Sequence, residues 1–186
     1  LETTRAWDHA LEPIWSRYPY QKRIPKENFF GIMVLSKWPL ENVQVHQLVE
    51  ADVPLITARL RKQARTLNLL ALHVPSPPLT QEILWRNEIF RKLPALKEKL
   101  GSDPFLLMGD INATPYAIQF QQLLQEMNLH DSRQGFGPQG TWKARLGWFG
   151  IPLDHALQSG DIRVEQRLVG PYLGSDHRPI ELQIAW

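Results

Sequence analysis

The chain is broken into short apolar runs rich in β-branched and large side chains, separated by glycine, proline and small polar residues, and this limits it to a fold built around strands. Residues 31–36, 55–60 and 67–74 read as strands, as do 104–108, 151–157, 162–168 and 178–185. Helical spacing is confined to a few places. Trp85, Ile89, Leu93, Leu96 and Leu100 form one stripe, which predicts a helix capped by Thr80, kinked at Pro94 and stopped at Gly101. Trp7, Leu11, Ile14, Trp15 and Tyr18 predict an amphipathic helix over 3–18, bent at Pro13. Thr114-Pro115 predicts the start of a further helix ending near Met127. The prolines of 74–78 place a loop there, and 131–150, with Gly135, Gly137, Gly140, Gly147 and Gly150, reads as one long loop. Strands and helices mix without strict alternation, so the expected class is α/β, with stacked sheets flanked by helices.

Composition narrows the chemistry. At 186 residues, 43% hydrophobic and 22% charged, the chain can close one substantial core, and disordered or collagen-like readings fall away. The absence of cysteine excludes a disulfide scaffold, a thiolate zinc site and a cysteine nucleophile. Lys and Arg total 21 against 19 Asp and Glu, so charge alone does not announce a nucleic-acid partner. No apolar run approaches the ~18–20 residues that span a bilayer.

Four polar clusters stand where apolar strands end, the usual place for a site. His73 closes the 69–72 run; a satisfied core or edge histidine is the bland alternative. Asp110 and Asn112 lie two apart after the 104–108 strand, so both can face one way and hold a metal-bound water and a phosphoryl oxygen; alternatively they form an Asx turn. Asp154 sits inside an apolar strand, where a buried carboxylate needs a partner such as an imidazole, either for function or as a structural ion pair. Asp176 and His177 are adjacent before the last strand, so one can ligate a divalent cation while the other handles a proton; a turn with a solvated histidine is the plain alternative. His9, His46 and His130 carry no such pattern and read as surface residues.

Together, and in this order, these motifs resemble the endonuclease/exonuclease/phosphatase superfamily, which includes pancreatic deoxyribonuclease, abasic-site endonucleases, inositol phosphatases and neutral sphingomyelinases. The segment 30–40 is similar to the family's Gly-x-x-x-Leu-Ser-Arg-x-Pro stretch, and Leu1-Glu2 to the end of its Leu-Gln-Glu strand. The resemblance implies two stacked, mostly antiparallel sheets between helices, a four-layer α/β/β/α sandwich formed by 1–186 as one domain lacking its N-terminal strands. It implies Glu2 and Asp176 as acidic positions at a divalent metal, usually Mg2+ with Mn2+ as an alternative. Asp110 and Asn112 would orient the attacking water and contact the scissile phosphate, His177 would be the catalytic imidazole held by Asp154, and His73 would contact phosphate. Family members begin with a strand bearing a metal-proximal asparagine, which implies a trimmed chain with Glu2 near a fraying end and weakened metal affinity.

The tract 140–142 before 151–155 is similar to a bacterial branch whose catalytic domain follows transmembrane helices outside the cytoplasm, implying an upstream membrane anchor. The expected reaction is phosphoester hydrolysis, foremost by a nuclease-like phosphodiesterase, with a phosphatase, a lipid phosphodiesterase or a noncatalytic binding module as alternatives. Trp142 and Arg145 in the long loop suit nucleic acid by stacking and phosphate attraction, although tryptophans there can equally pack the loop down. Arg59, Arg61, Lys62 and Arg65 read as a solvated turn between strands.

Overall fold

The computed structural model describes residues 3–28, 30–76 and 79–186, with Trp148 described through its backbone only. The chain opens with two short helices, α1 (Arg5–Ala10) and α2 (Glu12–Trp15), then β1 (Tyr20–Ile24), β2 (Ile32–Ser36), β3 (Leu40–Gln47), β4 (Pro54–Lys62) and β5 (Arg65–His73). Helix α3 (Thr80–Lys99) leads to β6 (Phe105–Asp110), and α4 (Ile118–Met127) leads to β7 (His130–Asp131). A 3₁₀ segment (Ala144–Phe149) precedes β8 (Asp154–Gln158), β9 (Arg163–Val169) and β10 (Ile180–Ala185).

Six strands form the central sheet in the order β3-β4-β5-β6-β8-β7. Its pairings are antiparallel except β5 with β6, where α3 provides the crossover that a parallel pair requires. One face packs on α3 and α4 through Leu70, Leu72, Phe105, Leu107, Ile89, Leu93, Phe120 and Leu123. The opposite face receives two hairpins. Ile32 and Val34 of β2 meet Ile56, and Ile180, Leu182 and Ile184 of β10 meet Leu67, Leu106 and Ala156. Outside the first hairpin, Arg23 lies 3.6 Å over the Trp15 ring and bonds Asp8 at 3.0 Å, which ties α1 and α2 to β1. The result is the expected layering of helices, sheet, sheet and helices. Among the described residues, however, the second sheet layer is two separate two-stranded pieces, β1-β2 and β9-β10.

Several boundaries differ from the sequence reading for local reasons. α3 begins at Thr80 with Leu79 in the cap position and no side-chain cap bond, so Thr80 does not cap it. The helix continues through Pro94, with Leu93 and Leu96 buried on either side. α4 begins at Ile118 because Thr114-Pro115 form a turn closed by Ala117 N–H donating to the Thr114 carbonyl at 3.0 Å. β1 and β3 were not legible as strands; both are edge strands with polar residues on both faces. The 74–78 loop falls partly outside the described residues. His46 is half-buried, with Nε2 2.7 Å from Thr57 Oγ1, and so is not a plain surface residue. Among the described residues no helix is long and apolar enough to cross a membrane.

Candidate active site

The register of three neighbouring strands builds one row of polar side chains. His73 at the end of β5 is level with Asp110 at the end of β6, and Asp110 is level with Asp154 at the start of β8. Gly109 makes this alignment possible. Its φ is +146°, and a Cβ there would lie 1.8 Å from the Leu72 carbonyl oxygen, so only glycine lets β6 approach β5 this closely beside Asp110.

Past Asp110 the chain turns through Ile111, which is fully buried, to Asn112 in the left-handed region at φ 49°. Asparagine tolerates this conformation better than most residues. Asn112 N–H donates to Asp110 Oδ1 at 2.8 Å, and its Nδ2 donates to Asp110 Oδ2 at 3.2 Å and to the Val74 carbonyl at 2.8 Å. The Asx turn and the candidate pair are therefore one object: the turn holds the Asp110 carboxylate in place. His73 and His177 each place Nε2 near the same Asp110 oxygen, at 3.7 and 3.8 Å. His73 also lies against the Phe30 ring, 5.7 Å between centroids.

His177 reaches the row from the second layer. Its Nδ1 lies 2.7 Å from Asp154 Oδ2, so Nδ1–H donates to the carboxylate and Nε2 is directed to the Asp110 side. Burial opposes a charge on this ring, but the hydrogen bond and charge of Asp154, with the charges of Asp110 and Asp176, push its pKa up to about 9. Burial likewise opposes ionisation of Asp154, yet the hydrogen bond and charge of His177, helped by Thr141, hold its pKa below the ordinary carboxylate value.

The long loop supplies the frame. Thr141 is fully buried; its Oγ1 accepts the N–H groups of Leu153 and Asp154 at 3.1 and 3.2 Å, and its carbonyl accepts Arg178 N–H at 2.9 Å. Trp142 is bridged through its backbone to Ile151 and to His177. Gly140 permits this crossing, because a Cβ there would stand 2.2 Å from the Gly150 carbonyl oxygen. Thr141 was missed in the sequence; its position between Gly140 and Trp142, just upstream of Leu153-Asp154, was the only signal. His155 points away from the row, fully buried, with Nε2–H donating to the Ala113 carbonyl at 3.0 Å. Burial pushes its pKa down to about 4, against the pull of Asp131 and the Ala113 carbonyl, so it is a neutral brace for the turn after Asn112.

His73, Asp110, Asn112, Asp154 and His177 are thus together. Asp176 is exposed on the adjoining turn, its carbonyl accepting Ala144 N–H at 2.8 Å. Trp142 is half-buried beneath Lys143 Nζ, 5.2 Å from its ring, and Arg145 is exposed with its guanidinium 5.9 Å from the Tyr172 ring. Glu2 lies outside the described residues; its neighbour Thr3 is buried and bonded to both Gly31 and Lys26. Asp110, Asp154 and His177 each offer an atom within 4.8 Å of the others, an acidic cluster to which a divalent cation would be drawn, although Asp154 and His177 are already bonded to each other. Carboxylate oxygens suit a hard divalent ion such as Mg2+ or Mn2+.

The model of the Endonuclease/Exonuclease/phosphatase family matches residues 1–177. The chain belongs to this family. Its fold is shared with endonuclease/exonuclease/phosphatase members of known structure. D. rerio TDP2 complexed with a single-strand DNA product gives a TM-score of 0.79 at 15% identity, over 100% of this chain and 84% of that one. The mannosyl-6-phosphatase of Bacteroides thetaiotaomicron gives 0.71 at 16% identity, over 96% and 82%. The beta toxin of Staphylococcus aureus gives 0.68 at 14% identity, over 96% and 82%. At these identities the likeness concerns the fold alone. No curated protein matches the sequence significantly. Family members act as hydrolases on phosphoesters and generally use divalent metals.

Proposed function

We propose that this chain is a divalent-metal-dependent phosphodiesterase of nuclease type. The observation that carries the reading is the row His73, Asp110, Asp154 across three strands, completed by His177 at 2.7 Å from Asp154. Glu2 and Asp176 would hold Mg2+ or Mn2+. Such an ion, when bound, neutralises phosphoryl charge and stabilises the leaving oxygen.

The chain's own groups supply the rest. Asp110, held in a fixed orientation by Asn112, orients the attacking water and takes its proton as the new oxygen–phosphorus bond forms and the ester phosphorus–oxygen bond opposite it breaks, the leaving oxygen taking a proton from solvent. The hydrogen bond and charge of Asp154, with the charges of Asp110 and Asp176, push the His177 pKa up and so favour the imidazolium, which would donate Nε2–H to a phosphoryl oxygen as charge builds there. Asp154 accepts Nδ1–H and fixes which nitrogen faces the substrate. His73 flanks Asp110 on the other side and contacts the phosphate.

Trp142 and Arg145, with Lys143, line the loop that bonds to His177 and Asp176, and they support a nucleic-acid strand as substrate through stacking and phosphate attraction. TDP2, which shares the fold, has been seen with single-strand DNA product. A lipid phosphodiester is the second reading, favoured by the exposed Phe149, Leu146 and Leu173, at 79%, 53% and 70%, on the same loops. The test is a panel of single-stranded DNA, abasic duplex, an inositol phosphate and sphingomyelin with Mg2+. DNA cleavage lost in His177→Ala supports the proposal; binding without turnover on every substrate contradicts it and favours a noncatalytic module.

A further inference from the structure

Arg167 is 1% exposed and heads the largest fully buried side chains of the described residues. Nothing in its sequence context marks it, since β9 reads as a polar edge strand. Its backbone pairs with Leu182 of β10, the strand that begins at Ile180 just after His177. Its guanidinium leaves that hairpin and enters the margin of the central sheet. Nε donates to Ser132 Oγ at 3.1 Å, Nη2 donates to the Asp154 carbonyl at 3.3 Å, and Nη1 donates to Gln139 Oε1. Gln139 Nε2 returns a bond to the Arg167 carbonyl at 3.3 Å. Burial disfavours the cation, as does nearby Arg133, while buried Asp131 and half-buried Asp154 favour it.

An apolar side chain of similar volume would stabilise such an interior as well as or better than a buried cation. What the guanidinium adds is direction: three bonds in a fixed fork, to three segments at once. Asp154 begins β8 of the central sheet, whereas His177 lies just before β10 and is bridged to Trp142, so their 2.7 Å separation depends on how β8 is seated against the β9-β10 hairpin and the turn that leads into it. Thr141 ties that joint from the loop side, and Arg167 ties it from below.

We infer that Arg167 is a positioning residue, which fixes β8 against the β9-β10 hairpin and thereby sets Asp154 in hydrogen-bonding position to His177. The effect on turnover rests on the proposed hydrolase reading, but the effect on the hydrogen bond does not. The test is the low-field proton resonance of His177 Nδ1–H in metal-free protein, assigned by its disappearance in Asp154→Asn. In Arg167→Lys, which keeps the charge but loses the fork, the resonance is expected to broaden or vanish while far-UV circular dichroism is unchanged. With bis(4-nitrophenyl) phosphate and Mg2+, kcat is expected to fall ~10–100-fold with KM changed less than ~3-fold. A folded Arg167→Lys that keeps the wild-type resonance overturns the inference, even if it unfolds at a lower temperature. Should Arg167→Lys not fold, Ser132→Ala and Gln139→Ala carry the same test: a weakened resonance in folded protein supports it and an unaltered one overturns it. A missing rate on the phosphodiester with the resonance behaving as expected would count against the hydrolase reading alone.

Discussion

Replacing Asp154 with asparagine changes a single atom type yet should move two independent observables. In the wild type, burial works against a charged His177, and the Asp154 hydrogen bond and charge outweigh it, raising the pKa from 6.5 to about 9. In Asp154→Asn the burial remains and only Asp110, 3.8 Å away, and Asp176 still favour the imidazolium. The ring should therefore titrate at least ~1 unit lower, and each unit corresponds to about 1.4 kcal/mol.

The sign of the stability effect follows. A group whose folded pKa is raised stabilises fully below its unfolded value and loses that contribution as pH climbs through the folded value. Wild-type protein should thus lose on the order of 2–3 kcal/mol of unfolding free energy between pH 6.5 and 9 from this ring. The lowered pKa of Asp154 is the same interaction seen from its partner and adds nothing further. In Asp154→Asn the pH slope across that window should largely flatten. The assay is urea unfolding from pH 6 to 10 in EDTA, with the His177 ring titration followed by NMR. A titration midpoint within a few tenths of the wild type, or an unchanged slope, would refute the argument that Asp154 governs the imidazole.

Three other outcomes are expected. Gly109→Ala should destabilise by roughly 2–4 kcal/mol or prevent folding, because its Cβ would meet the Leu72 carbonyl at 1.8 Å from a φ of +146°; a melting temperature near the wild type would contradict this. Asn112→Gly keeps the left-handed backbone and the N–H bond to Asp110 Oδ1 but removes the side-chain bonds to Asp110 Oδ2 and the Val74 carbonyl, so stability should fall by about 1–3 kcal/mol while the phosphodiesterase rate falls ~10–1,000-fold; an unchanged rate in folded protein would contradict this. On the proposed reading the exposed Arg145 guanidinium would meet the strand beyond the reacting phosphate, so Arg145→Ala should raise KM for an oligonucleotide several-fold with kcat held; an equal fall in kcat would place it at the chemistry instead.

The layered α/β class was legible in the sequence, and so was the grouping of five polar residues that the structure brings together. His73, Asp110, Asn112, Asp154 and His177 were legible because each interrupts or ends an apolar strand, where an unsatisfied polar group is costly and so conspicuous. β1 and β3 were not, because edge strands need bury neither face and YQKRI and LENVQVHQ show no clean alternation. The start of α4 was misplaced because Thr-Pro suits a helix start and a turn equally well, and the Ala117–Thr114 bond selects the turn. Thr141 and Arg167 were invisible for another reason. Their partners Asp154, Ser132 and Gln139 lie at distances along the chain that no local spacing encodes. His155 adjoins Asp154, but strand alternation turns it to the opposite face, where its Nε2–H donates to the Ala113 carbonyl.

The central claim is that these side chains form one centre for hydrolysis of a phosphoester with a divalent ion. Its most direct measurement is the initial rate on bis(4-nitrophenyl) phosphate with Mg2+, after EDTA, and in Asp110→Asn, each checked for retained fold. A rate that EDTA abolishes, Mg2+ or Mn2+ restores and Asp110→Asn lowers by ~100-fold or more is the predicted result. A rate indifferent to EDTA and to Asp110→Asn would contradict it.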